Sequence, residues 1–574
     1  MNYYEEHQEI EYIQDTHESG ILKIRENTAY VNEKEVENNR GLEGDIVYIE
    51  NNKVIHIKKR EKHKIIGYID LNSKYKICIP DFRNTSKNKI YHIFSPINKK
   101  YPNFYVSLNT KNHKGNVYVL IEFQKWEKKS KYPFGILIDV IGNVGILEND
   151  CISALHYCDV YQKKNTYIKE DYLKHQKQIN DIQNENTDYT IFTIDPKGSK
   201  DLDDGFHFNK IDDTLFEVGI HIACPYIFLN DPKYIDNFFK RITTIYSHKN
   251  IHMMPDIYSN DLISLLQKQK RKSICLLLTF DIHYKLINKK VEMSTVYIDK
   301  NYDYETFFKE THENKNIKEF INFSNLYFKK ELDSHKLVEE WMINANCLIV
   351  DYLVENNYTN IIVRVHEKNK NINYIEQKND SYLTNLLLQF QENSATYQLL
   401  NTHIDENQYH SKMGSHYTHF TSPIRRVVDF YTQGLIIGNL KIETDLLNKY
   451  ILHVNQYQKK LKKFYNYQKK LEIVHDHKED KVLSEAYILK IKKNYIHVYI
   501  RSYNFQIKYN IFPYAFMKSY NPQYTHSNDE NIKIECIIDG NKIMYELYQL
   551  LKVELMFFPF EKNINDKIKM KIIK

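Results

Sequence analysis

The chain has 574 residues, a formal net charge of +6, 42% hydrophobic and 27% charged residues. That length exceeds one ordinary core and argues for roughly three or four domains, while so small a positive excess does not by itself demand a nucleic-acid partner. Apolar runs fall short of a membrane span, the start MNYYEEHQEIEY is acidic where a signal region is basic, and the seven cysteines are scattered with no CxxC pair, so no membrane insertion, a reducing cytoplasmic compartment and no zinc site are expected.

From the N-terminus, residues 15–62 carry the alternating runs ILKIRENTAYV and DIVYIENNKVIHIKK, broken by the polar stretch NNRGLEGD. Alternation with a polar break predicts a small antiparallel barrel. A second β-rich unit is expected over 63–160, with strands IIGYID, YKICIP, NFYVSL and NVYVLIEFQKW, then PFGILIDVIGNVG. Residues 161–187 are polar and rich in Asn, Gln and Lys, a linker or exposed helix. A larger domain fills 188–478, and 479–574 returns to strands such as AYILKIKKNYIHVYIRS and LLKVELMFF. The fold class expected is α+β and multidomain. The 48 tyrosines sit in a chain equally heavy in Lys, Asn and Ile, so interleaved lysines and aromatics say little about nucleic acid here.

The densest acid lies in TIDPKGSKDLDDG, Thr193 to Gly205, which sets Asp195, Asp201, Asp203 and Asp204 within ten positions. YTIFTI before it reads as a strand, and FHFNKIDDTLFEVGIHIA after it as a hairpin turning at Asp212 and Asp213. Four carboxylates on a loop between strands repel. A hard divalent cation such as Mg²⁺ relieves that repulsion and keeps water and phosphate oxygens as further ligands. A solvated acidic turn is the alternative that the loop alone leaves open. An EF-hand is excluded, because counted from Asp201 the glycine falls fifth and the twelfth residue is Asp212.

Further on, LVEEWMINANCLIVDYLV (337–354) places Leu337, Trp341, Ala345, Ile349 and Leu353 with Val338, Met342, Leu348 and Tyr352 on one helix face, a core face that leaves Glu340 and Asn346 off it. His366 has no second His or Cys at ligand spacing and is read as structural. In YTHFTSPIRRVVD, Thr421 or Ser422 suits an N-cap and Pro423 the first helical position, so a helix is expected with Arg425 and Arg426 in its first turn. Cations there oppose the helix dipole unless an anion binds beside them, which makes the pair a phosphate seat. On VNQYQKKLKKFYNYQKKL (454–471), Lys459, Lys460, Lys462, Lys463, Lys469 and Lys470 fill one half of a helical wheel. That half either tracks an RNA backbone or is simply solvated.

TIDPKGSKDLDD and YTHFTSPIRR together resemble the two most characteristic motifs of the RNase II / RNase R family, which includes the exonuclease subunit of the exosome. The resemblance implies an RNB catalytic domain flanked by two N-terminal cold-shock-like OB barrels and one C-terminal S1-type OB barrel. Asn39, Arg40, Gly44 and Asp45 are similar to the NRAxxGD stretch of the first cold-shock domain, and Trp126, Pro133, Gly135 and Gly142 to the W…PxGxI…xGxxG pattern of the second. The activity implied is Mg²⁺-dependent hydrolysis of single-stranded RNA from 3′ to 5′, releasing nucleoside 5′-monophosphates. Asp195, Asp201, Asp203 and Asp204 are then expected to hold two Mg²⁺ ions, with Asp203, which matches the family's most catalysis-critical acid, orienting an ion or the water. Arg425 would stabilise charge on the phosphate, Arg426 would contribute less, and Asp429 would brace Arg425. Tyr246 falls on the tyrosine that stacks against the last base in the family, and Glu340 on an acid near its channel.

Departures from the family pattern set the alternative. Cys224 stands where the family has the carboxylate of HIAD, Gln433 and Gly434 stand where a histidine is expected, and the stretch between Phe307 and Leu337 is shorter than in most relatives. A catalytically decayed, multi-OB RNA-binding protein is therefore the competing reading. Because the first barrel begins almost at the N-terminus, exosome docking through a preceding endonuclease domain is not expected, and no obligate protein partner is evident.

Overall fold

The computed structural model describes residues 18–25, 28–60, 63–81, 84–109, 113–180, 186–310, 314–366, 381–391, 394–400, 408–438, 440–478, 480–492, 495–511, 523–527, 530–538 and 541–573. The acidic start of the chain lies outside them. Two compact units form, one from 1–161 with 460–574 and one from 162–459.

In the first unit, the N-terminal module consists of two three-stranded antiparallel sheets, Glu18–Ile21 with Ile46–Glu50 and Lys53–Lys59, and Lys23–Arg25 with Thr28–Val31 and Lys34–Val36. Alternation turns Leu22, Ala29, Val31, Val47, Ile49 and Val54 into one small core. Asp45, buried at 2% exposure, accepts the Leu42 N–H and pairs with Arg60 at 2.6 Å, which fixes the polar break between the two sheets. The next module is a six-stranded sheet in which Phe104–Val106 pairs both with Phe134–Asn143 and with Asn84–Pro96. The strand pairings thus return on themselves, as in an OB barrel. The tail forms a five-stranded sheet in the order Phe505–Asn510, Tyr495–Ile500, Lys481–Lys492, Leu550–Phe557 and Ile568–Ile573, with a further three-stranded sheet over Gln523–Ser527, Glu530–Ile538 and Asn541–Glu546. The chain is thus mixed α and β, with OB-type modules in this unit.

In the second unit a closed five-stranded barrel runs in sequence order through Asn186–Asp195, Asp204–Lys210, Leu215–Ala223, Lys270–Asp281 and Leu286–Asp303. Its neighbours are antiparallel except where the first strand meets the last, which closes the barrel in parallel. Inward residues Phe192, Ile194, Phe206, Ile220, Ile274 and Leu276 share one core with the helices that cover it. The helix Ser334–Glu355 packs on that core through Leu337, Trp341, Ala345 and Ile349. Trp341 is wholly buried, yet its indole N–H donates to Ser324 Oγ at 2.9 Å, so no polar atom of the ring is stranded. The stretch before Leu337 is core-forming: Phe307, Phe320 and Phe323 are all buried there. The polar 161–187 region contains a helix, Lys169–Asn180.

The barrel brings the acids to one end. Asp195 ends one strand and Asp204 begins the next, so closing the hairpin around residues 196–203 places both at the same rim.

Candidate active site

The acid loop starts with a turn closed by the Ser199 N–H on the Pro196 carbonyl, and Gly198 takes its left-handed φ of 84°. Beyond it the backbone is held from one neighbouring segment: Ser264 Oγ donates to the Lys200 carbonyl at 2.7 Å and accepts the Leu202 N–H at 3.0 Å, and the Leu265 N–H donates to the Leu202 carbonyl. Buried Arg271 in turn donates from Nε to the Ser264 carbonyl at 2.7 Å. The Ala223 N–H binds the Asp203 carbonyl at 2.8 Å, which ties the end of the loop to the barrel.

Opposing chain meets this loop at Ser422–Arg426. Asp203 Oδ1 accepts the Ile424 N–H at 2.8 Å and Asp203 Oδ2 accepts Arg425 Nε at 3.2 Å, so one carboxylate joins two segments more than two hundred residues apart. Arg425 also donates from Nη2 to Ser422 Oγ at 2.9 Å, and its side chain keeps 40% exposure. The expected helix start is corrected here. The helix is Val427–Ile437, and Arg425 and Arg426 precede it. Arg426 is extended and bridges Thr243, while the Val427 N–H binds the Ile242 carbonyl, so tertiary pairing overrides the Ser-Pro helix signal. Asp429 braces Arg426 at 2.8 Å and accepts the Ser422 N–H; it does not hydrogen-bond Arg425.

The strap that pins these arginines carries its own strain. Ile242 has φ 69° and ψ −51°, a conformation a β-branched residue rarely adopts. It is held there by its N–H on the Phe238 carbonyl and its carbonyl under the Val427 N–H.

Asp195, Asp201, Asp203, Asp204, Tyr246, Arg425 and Arg426 all line one cavity of about 980 Å³. Tyr246 donates its phenol to Asp201 Oδ2 at 2.5 Å. Burial pushes the Asp195 carboxyl up to about 6, with Asp201 adding to it, and pushes Asp203 up to about 7 against the opposing pull of Arg425. Asp204 is raised as well, by burial first and then by the charges of Asp195 and Asp203. Asp195 Oδ2 is buried without a hydrogen-bond partner. Acids this repulsive, with an orphaned oxygen facing a cavity, fit a divalent cation. Among the described residues no three His, Cys, Asp or Glu side chains form a ready-made cage for an ion.

The site has further members. Asn346, buried at 2% exposure, lines the cavity, donates to Tyr417 Oη at 3.0 Å and accepts the Phe420 N–H at 2.8 Å. Val338 and Met342, on the supposed core face, line it too. The adjacent acid is also corrected: Glu339 lines the cavity, whereas Glu340 pairs with Lys330 at 2.5 Å. Tyr304, just before the stretch between Phe307 and Leu337, lines the cavity with its ring stacked 3.6 Å from that of His335.

The two departing positions adjoin. Gln433, wholly buried, donates to the Ala223 carbonyl at 2.7 Å, beside Cys224 in the barrel core. Through Ala223 that bond steadies the strand end that holds Asp203. Gln433→Leu strands a buried carbonyl, and urea unfolding should show a loss of about 1–3 kcal/mol. An unchanged midpoint would show that the bond contributes nothing.

An RNB domain family model matches residues 183–322 and 307–442, and a Dis3-like cold-shock domain 2 (CSD2) model matches 91–158. Residues 183–442 thus form an RNB domain. Its RNB relatives include a probable exosome complex exonuclease RRP44 of Caenorhabditis elegans, 23% identical over 77% of this chain and 55% of that protein. DIS3-like exonuclease 2 of Schizosaccharomyces pombe is 24% identical over 85% of this chain and 65% of its own length. The chain thus spans between about half and two thirds of the curated relatives it matches first. The RNB fold also superposes on Mycoplasma genitalium RNase R, solved with ribose-methylated single-stranded RNA, at a TM-score of 0.73 and 17% identity, covering 97% of this chain and 100% of that one. Yeast Ssd1, described as a pseudonuclease, superposes at 0.61 and 13% identity over 100% and 98% of the two chains.

Proposed function

We propose that the chain is a Mg²⁺-dependent hydrolytic exoribonuclease that takes single-stranded RNA 3′ end first and releases nucleoside 5′-monophosphates in a reducing cytoplasmic compartment. The observation that carries this reading is the contact of Asp203 with Arg425, which puts the acid loop and a half-exposed guanidinium on one cavity. Asp195, Asp201, Asp203 and Asp204 would hold the metal, which supplies activation of the attacking water and charge relief at the leaving oxygen.

The remaining roles fall to the chain's own groups. Arg425, aligned by Asp203 and Ser422, presents its free N–H groups to a phosphate oxygen as negative charge builds there. Arg426, clamped by Asp429, supports the backbone that carries Arg425. Tyr246 offers its ring to the terminal base while its phenol fixes the Asp201 carboxylate.

Tyr246 therefore separates two effects. Tyr246→Phe keeps the ring and is expected to retain RNA affinity, whereas Tyr246→Ala should weaken it by about 1–3 kcal/mol. Fluorescence anisotropy with a short RNA in EDTA reads both, and equal affinity of the two variants would remove the stacking role.

Incubating the purified chain with 5′-labelled single-stranded RNA and Mg²⁺ tests the whole reading. Stepwise shortening to a small end product supports it. RNA that is bound and left intact assigns the non-enzymatic alternative instead, in keeping with the fold shared with Ssd1. A parallel DNA substrate tests the dependence on the 2′-hydroxyl.

A further inference from the structure

The lysine-rich half of the helix Thr444–His477 is not a uniformly solvated face. Lys460 is paired with Asp159 at 2.5 Å. Lys463 and Lys470 instead turn, with Lys508 and His497, into a cavity of about 540 Å³ lined also by Tyr467 and Asn565. No carboxylate stands among the described lining residues.

Aromatic rings hold these cations in place without neutralising them. Lys463 Nζ lies 4.5 Å from the ring centre of Tyr157, Lys508 Nζ 3.8 Å from that of Tyr495, and Lys470 Nζ 5.4 Å from that of Phe505. Lys470 gives one N–H to the Gln506 carbonyl at 2.7 Å, and an ammonium has two more to give. Burial pulls Lys470 down to about 8, and it lowers His497, whose charged neighbours Lys490, Lys508, Lys470 and Lys492 lower it further. Cations gathered in a partly buried space without a counter-charge are the complement of an anion.

We propose that this cavity is an anion site for a phosphomonoester, inorganic phosphate or the 5′-phosphate of a mononucleotide, distinct from the acid-lined pocket. Three ammonium groups suit a phosphomonoester, which carries about −1.5 to −2 charges near pH 7, better than a singly charged phosphodiester. The volume is that of a small-molecule site. Tyr467 donates its hydroxyl to Asn565 Oδ1 at 2.8 Å, which fixes an aromatic edge and an amide in the same wall for a nucleoside to meet. If the proposed reaction holds, its product is a ligand of this class; the binding itself does not depend on that reading.

Calorimetric titration of the full chain in EDTA, with inorganic phosphate and with adenosine 5′-monophosphate, tests the site without any activity. Both are expected to bind, and Lys463→Gln with Lys508→Gln, at two exposed positions, should weaken each about tenfold. Lys463→Arg with Lys508→Arg, which keeps both charges, should retain binding, and the loss caused by the glutamine pair should be the same in an Arg425→Ala background. Equal affinities for the two ligands assign the phosphate group alone, and tighter adenosine 5′-monophosphate extends the site to the nucleoside. Binding that survives the glutamine pair, that disappears with Arg425→Ala, or that is absent in the wild-type chain overturns the proposal.

Discussion

Asp203→Asn is expected to lower the rate of RNA shortening by about 10²–10³ while leaving RNA affinity within a few-fold of wild type. The reason is the double duty of this one carboxylate. Oδ1 accepts the Ile424 N–H and Oδ2 accepts Arg425 Nε, inside a site where Asp203 is only 3% exposed. An asparagine offers one oxygen and one amide NH₂, so one of those donors then meets another donor, and the charge that aligns the guanidinium is gone. Arg425→Lys should fall by a similar factor, because an ammonium cannot bond Asp203 and Ser422 in fork geometry and still face the cavity. The double variant should be little worse than the worse single one, since both act on the same phosphate. Single-turnover gels with 5′-labelled RNA measure the rates, and anisotropy measures the binding. A full wild-type rate for Asp203→Asn would end the assignment.

The chain shows plainly which parts of such a site local sequence encodes. Strand, acidic loop and hairpin were legible because a period of two and a β-branched run are local signals, and the turn at Gly198 supplies its own conformation. Barrel closure was not, since it rests on the parallel pairing of Ile191–Asp195 with Ile298–Asp303, about a hundred residues away. The TSPIRR stretch carries a sound local helix signal that loses to three distant partners, Asp203, Thr243 and Ile242, and that competition is what aims Arg425 at the acids. The helical wheel of 337–354 separated core from non-core correctly for Trp341 and Leu337. It misjudged Asn346 because a residue off the core face still becomes buried when a second wall, offering the Tyr417 hydroxyl and the Phe420 backbone N–H, folds over it. For 454–471 the wheel showed which lysines share a side, but no wheel shows that Lys463 and Lys470 meet Tyr157, Gln506 and Phe505 there.

The acid cluster also predicts a stability that depends on pH and metal together. In EDTA the folded chain should be more stable near pH 5 than near pH 8, by on the order of 3 kcal/mol. The sign follows from the direction of the shifts. Asp195 rises from 3.8 to about 6 and Asp203 from 3.8 to about 7, so between those values the folded chain holds protons that the unfolded chain has released. That stability is fully present below about pH 4 and is lost as pH rises through about 7, where the buried carboxylates must ionise beside one another. Millimolar Mg²⁺ should recover most of the loss at pH 8 and change little at pH 5, where protons already occupy the acids. Asp195→Asn removes one of the repelling charges, so in EDTA at pH 8 this variant should melt above wild type although it is expected to be a poorer nuclease. Thermal melts of both proteins at the two pH values, with EDTA or Mg²⁺, give all the comparisons in one series. Equal wild-type melting at pH 8 with and without Mg²⁺, together with no gain from Asp195→Asn, would show that these carboxylates neither repel one another nor grip a cation, and the metal-dependent reading would fall with them.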